Sequence, residues 1–131
     1  MVLPILRIGG TMIKQEGQAM ETVDAKTAQP TENPHGVKAS MLYNTENAQA
    51  VHITLEPGEA LKKHKTPVDV FFYVLEGRGT VEIGGEKQEV GKDTLINSPA
   101  RIPHCWYNAS NAVLRFLVVK VPRPTESTKL L

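Results

Sequence analysis

The chain has 131 residues, with 15 Lys plus Arg against 14 Asp plus Glu, four histidines and a single cysteine. A charge balance this close to neutral gives no electrostatic basis for nucleic-acid binding. One cysteine excludes an internal disulfide framework and fits a reducing compartment, and no apolar run approaches the roughly 20 residues of a membrane-spanning helix.

The opening Met1, Val2, Leu3, Pro4, Ile5 and Leu6 form too short an apolar core, with no basic residue before it, to act as a secretory signal. A cytoplasmic protein without a membrane partner is expected. The Gly9-Gly10-Thr11 break leaves either Met1 or Met12 as the start. Residues 12–36 are polar, carry Pro30, Pro34 and Gly36, and keep no sustained period, so residues 1–36 are expected to form an arm with at most one short strand or helical turn.

Residues 38–42 are a weak strand candidate. Val51, Ile53 and Leu55 then alternate with His52, Thr54 and Glu56, the period of a strand with one apolar face, and Pro57-Gly58 ends it. The next strand is Phe71-Phe72-Tyr73-Val74-Leu75, wholly apolar and rich in aromatic and branched residues. The segment between this strand and the Pro-Gly turn carries His64 among lysines.

After the Gly77-Arg78-Gly79 turn, Thr80-Val81-Glu82-Ile83 runs into Gly84-Gly85, the signature of a tight hairpin, with a return strand over 86–90. Strands are expected at 94–96, at 104–108 and at 113–121, the last stopped by Pro122 and Pro124. The tail, 123–131, reads as loose. Short strands with turn signals about every eight to twelve residues, and no long helix, make an all-β sandwich or barrel.

Two segments carry a resemblance. Gly58, His64 and Gly77 fall in register with the first motif of the cupin superfamily, G-x5-H-x-H-x3-E-x6-G, with Thr66 at its second histidine and Val70 at its glutamate. Pro99, His104 and Asn108 match the end of its second motif, P-x-G-x2-H-x3-N, with Arg101 at the glycine and Gly91 two residues farther from the proline than usual. Over roughly 37–122 the chain therefore resembles a small single-domain cupin, which implies a double-stranded β-helix, or jelly-roll, barrel between the arm and the tail. In metal-binding cupins the two histidines and glutamate of the first motif, with the histidine of the second, hold a divalent ion.

Carried over residue by residue, the resemblance implies metal ligands at His64 and His104 only. Zinc, nickel, iron or manganese would be the transition metals for such a site. Asp69 and His52 are the candidates to complete it, but Asp69 should face away from Val70 in a regular strand, and the facing of His52 is open. Strand parity adds Val70, Phe72, Trp106 and Asn108 to a pocket with His64, Thr66 and His104. It turns Cys105 and Tyr107 the other way. Lys62, Lys63, Lys65 and Arg101 form either a solvated rim or an anion-attracting mouth.

Three functions follow as alternatives. One is a barrel that binds a small polar or anionic molecule. Another is a metal-dependent isomerase, lyase or oxygenase. The third is a ligand-free structural or sensor module. Strands apolar on both faces also lead to the expectation of a homodimer.

Overall fold

The computed structural model describes residues 6–8, 11–13 and 20–131. Residues 1–5, 9–10 and 14–19 of the arm, and with them the Gly9-Gly10 break that bears on the choice of start, lie outside the described residues. Among the described residues there are strands and turns and no helix long and apolar enough to cross a membrane.

The strands are β1 (Leu6–Ile8), β2 (Thr11–Ile13), β3 (Lys38–Thr45), β4 (Ala48–Leu55), β5 (Ala60–Lys65), β6 (Asp69–Glu76), β7 (Arg78–Ile83), β8 (Glu86–Gly91), β9 (Leu95–Ser98), β10 (His104–Tyr107), β11 (Leu114–Val121) and β12 (Lys129–Leu130). β1 and β2 pair with each other. The rest form two five-stranded antiparallel sheets, ordered β12-β5-β10-β7-β8 and β3-β4-β11-β6-β9. Their facing sides enclose one core, and the architecture is the jelly-roll barrel.

The alternation read from the sequence builds that core. On β4 it supplies Ile53 and Leu55, on β6 Val70, Phe72 and Val74, and on β11 Leu114, Phe116 and Val118, all buried. Trp106 stacks on Phe116 with ring centroids 4.3 Å apart, and Phe72 meets both rings edge-on. Each fully buried Phe stabilises the fold by roughly 1.5–3 kcal/mol relative to exposure. The Gly84-Gly85 pair makes the expected two-residue hairpin, closing Ile83 onto Glu86 with Gly84 at φ +63°.

Two segments depart from expectation. Residues 60–65 are a full strand, β5, although Lys62, Lys63 and Lys65 erase the apolar alternation; the strand forms because β10 and β12 satisfy its backbone from either side. The tail is not loose: Lys129 and Leu130 pair with Lys65 and His64, the Leu131 N-H donates to the Lys63 carbonyl at 3.0 Å, and Arg101 and Glu126 stand 3.6 Å apart. It forms a strap across one end of the barrel. Residues 28–31 of the arm lie along β3, where the Thr31 N-H donates to the Ala39 carbonyl and Ser40 Oγ to the Ala28 carbonyl.

Candidate functional site

His64 and His104 are direct cross-strand partners on β5 and β10, so both imidazoles project from the same face of one sheet into the barrel end. Their Nε2 atoms are 2.9 Å apart, and the residues are 6% and 1% exposed. On the opposite sheet a second cross-strand row faces them: Lys120 on β11, Val70 on β6 and Ser98 on β9. Ser98 Oγ lies 2.6 Å from His104 Nδ1 and joins the two rows.

Hydrogen-bond chemistry fixes the protons. His64 Nδ1 meets the Lys62 carbonyl, which can only accept, so Nδ1 carries the hydrogen and a neutral His64 has a bare Nε2. His104 Nε2 must then donate to it, which leaves His104 Nδ1 bare to accept from the Ser98 hydroxyl. Burial is the main cause that pulls the His104 pKa down to about 3, with His64, Lys120 and His35 adding to it. Burial also lowers His64, partly opposed by its bond to the Lys62 carbonyl. The pair is neutral at physiological pH.

A third imidazole joins from the arm. His35 sits in the Asn33-Pro34-His35-Gly36 turn and accepts the Lys62 N-H at Nδ1 (2.9 Å), with its ring edge-on to His64 at 4.8 Å. Burial, then the charge interactions with His64, Lys62 and Lys120, lowers its pKa to about 4. Two residues on from His64, Thr66 lines a cavity of 210 Å³ together with Lys65, Pro67 and Arg101 from the barrel and Glu126, Ser127 and Lys129 from the strap, with none of the histidines in its lining. The Thr66 hydroxyl is buried without a hydrogen-bond partner.

The chain has clear relatives in sequence and in fold. A family model described as a cupin domain matches residues 51–120, rather more than half of the chain. The chain belongs to the cupin family. An uncharacterised protein of Methanocaldococcus jannaschii is 30% identical to this cupin over 84 residues, covering 63% of this chain and 72% of its own. Among solved structures, a protein of Thermus thermophilus superposes with a TM-score of 0.70 at 31% identity over 80% of this chain and 100% of its own. The polyketide cyclase RemF of Streptomyces resistomycificus superposes at 0.74 with 20% identity, over 86% of each chain, a likeness of fold alone.

Metal-binding members of the family prompt a test of the donor set. Two nitrogens 2.9 Å apart have the spacing of neighbouring ligands on one ion, roughly 3 Å for bonds of about 2.1 Å at right angles. The other two ligand positions hold a neutral hydroxyl, Thr66, and a hydrocarbon, Val70. His35 has already given one nitrogen to Lys62. Among the described residues no group of three or more His, Cys, Asp or Glu is placed to hold an ion. Two imidazoles fall short of a resident metal site.

The structure separates the expected site residues into two groups. His64, Thr66, Val70 and His104 come together at the barrel end, and Phe72 lies edge-on beneath His104 at 5.2 Å. Trp106 packs deeper, between Phe72 and Phe116 in the core. Asn108 is four residues along from His104, roughly 13 Å at strand rise. Its side chain ties down the turn before β11, donating to the carbonyls of Leu55 and Ala112 and accepting from Ser110. Asn108 is thus a turn anchor and not a pocket wall, which corrects the parity reading: it lies just past the end of β10, too far along the chain from His104 for both to reach one site.

Neither proposed completing ligand reaches the pair. His52 lies on the outer face of β4, where its Nε2 accepts from Arg115 Nε at 3.1 Å. Asp69 faces outward and accepts the Ala100 N-H at 2.9 Å, fixing the loop ahead of β10. The expected cationic rim is also divided. Lys63 pairs with Glu82 at 3.1 Å and Lys62 Nζ donates to the Pro34 carbonyl, while Lys65 and Arg101 line the cavity, joined by Lys129. Cys105 and Tyr107 turn away from the barrel interior and bond to each other.

Three residues of the site escape sequence reasoning. Lys120 carries a usable signal, since it continues the inward row of Leu114, Phe116 and Val118 at a spacing of two. Ser98 shares that parity on β9. His35 has no local signal, because only the return of the arm across β5 brings it there.

Proposed function

We propose that this cupin is a small-molecule-binding barrel whose ligand, polar or anionic, docks at the strap end against the His64–His104 pair. The observation that supports this most is the pair itself: two buried neutral imidazoles beside an unpartnered hydroxyl, Thr66, and a cavity of 210 Å³. At about 30 Å³ per water the cavity has room for roughly seven waters, which suits a small acid or sugar fragment and not a large cofactor. Lys65, Arg101 and Lys129 outnumber Glu126 around it, so its field favours an anion.

The test is a thermal-shift screen of small carboxylic acids, inorganic phosphate and polyols against the wild-type chain and His104→Ala. Stabilisation of the wild type by at least one compound, lost in His104→Ala, is expected. No stabilisation by any compound, or stabilisation that survives the substitution, overturns the reading.

The spacing of the two Nε2 atoms supports a second reading, a metal-dependent isomerase, lyase or oxygenase in which substrate or water completes the coordination of a loosely held ion. Metal analysis of untagged protein separates the two: a stoichiometric ion that disappears in His104→Ala favours the enzyme. We further propose that the protein works in the cytoplasm, where its buried cysteine stays reduced, and as a homodimer.

A further inference from the structure

Lys120 reaches the barrel end from β11 with a charge that no described carboxylate answers. It extends the inward row of that strand and is the cross-strand neighbour of Val70, whose other neighbour, Ser98, holds His104. Among the described residues its Nζ makes a single hydrogen bond, 3.3 Å to Thr128 Oγ1 of the strap. The carboxylates that the register and the strap bring closest are turned elsewhere: Asp69, next to Val70 on β6, faces outward and accepts the Ala100 N-H, and Glu126 of the strap is engaged with Arg101.

The groups that face Lys120 across the barrel end are His35, His64 and His104, and a positive charge on Lys120 adds to what keeps each of them neutral. An amine drawn out of water toward three neutral rings and one hydroxyl lacks the counter-ion that makes a buried charge tolerable. Desolvation accordingly lowers its affinity for a proton. A second observation indicates where an anion would come from. Ser127 and Lys129, on either side of Thr128, line the cavity with Lys65 and Arg101, so the strap that caps Lys120 through Thr128 on one side borders this cationic cavity on its other side.

We propose that Lys120 is the anion-receiving residue of this cupin: a carboxylate or phosphate oxygen of the ligand replaces Thr128 Oγ1 on its ammonium while His64 and His104 hold the ligand's remaining polar groups. The proposal rests on the reading that the strap end binds a small molecule, and it names the charge of that molecule and the residue that reads it.

Calorimetry on the full chain tests it, with malonate and inorganic phosphate as the oxyanion probes and glycerol as the neutral one. At least one oxyanion is expected to bind the wild type, with Lys120→Met weakening it about tenfold or more and Lys120→Arg retaining most of the affinity. Binding of malonate alone assigns a carboxylate, and binding of phosphate alone assigns a phosphate. If Lys120→Met binds the oxyanion like the wild type while His104→Ala does not, Lys120 is removed from the site and the small-molecule reading stands. If glycerol binds and neither oxyanion does, the outcome is the same; if none of the probes binds the wild type, the proposal falls with the reading. A second readout needs no variant: in isotopically labelled wild-type protein the Lys120 side-chain nitrogen signal moves on oxyanion addition, and an unmoved signal at saturation overturns the proposal.

Discussion

In His104 both ring nitrogens are committed, to Ser98 and to His64, and the residue is 1% exposed, so a second proton can be added only by breaking a hydrogen bond in a place that water does not reach. The unfolded chain has no such restriction and takes that proton near the ordinary histidine pKa of 6.5, whereas the folded ring resists it down to about 3. Between those values the unfolded state binds more protons, so stability is full above about pH 6.5 and declines as pH falls toward the folded pKa. For His104 the loss near pH 4.5 comes to about 2–3 kcal/mol. Urea unfolding of wild type and His104→Gln at pH 7 and near pH 4.5 checks it: the wild type should lose more stability on acidification than the variant, and equal losses would mean that the pair titrates freely in the fold. The two histidines are legible in the sequence because each stands in a spaced motif frame. Lys120 is legible only through parity on β11, and His35 is not legible at all, since its role depends on where the arm returns and not on its neighbours in sequence.

Among the elements, the strands that alternate cleanly are those the sequence makes plain: β4, β6, β7 and β11 each owe one face to the core, and burial of that face determines both strand and register. β5 and β12 are different. β5 contributes Leu61 and His64 to the interior but surrounds them with lysines, and β12 is two exposed residues whose pairing follows from the unpaired edge that β5 offers. Neither has a periodic signal, because backbone hydrogen bonding rather than apolar burial holds it. The turn from β6 into β7 is fixed just as locally by Gly77. It has φ +83°, and a Cβ there would overlap the Val113 carbonyl oxygen at the start of β11. Gly77→Ala therefore meets both a left-handed backbone and a backbone clash that no side-chain rotation relieves. It should cost about 2 kcal/mol or more, read as a lower urea midpoint with unchanged slope. Gly85→Ala is the control, because nothing lies within 4 Å of a Cβ there. Equal effects from the two substitutions would show that the contact with Val113 does not matter.

At the scale of the whole molecule, the two sheets are unequal on their outer faces. The β12-β5-β10-β7-β8 sheet carries the ion pairs of Lys63 and Lys87 with Glu82 and of Arg78 with Glu89, and charges of this kind suit a solvated surface. The β3-β4-β11-β6-β9 sheet keeps the Arg115–Glu76 ion pair at one end of its outer face and otherwise aligns Tyr43, Val119 and Phe71 in one cross-strand row and Leu117, Tyr73 and Leu95 in the next. Tyr43 and Leu95, at opposite edges of this face, are 55% and 56% exposed. The apolar character of β6 and β11 on both faces, visible in the sequence, thus divides: one face builds the barrel core, and the other carries the rows that the proposed homodimer would use. Two copies related by a two-fold axis would bring the same face together, and self-association removes apolar area from water without needing a separate partner. Light scattering at micromolar concentration should therefore give twice the chain mass. Tyr43→Lys combined with Leu95→Lys, both at exposed positions where the barrel itself is not disturbed, should give the single-chain mass with an unchanged far-ultraviolet dichroism spectrum. A wild type that runs at the single-chain mass would leave this face without a second copy, and a double variant that stays dimeric would move the contact to another surface.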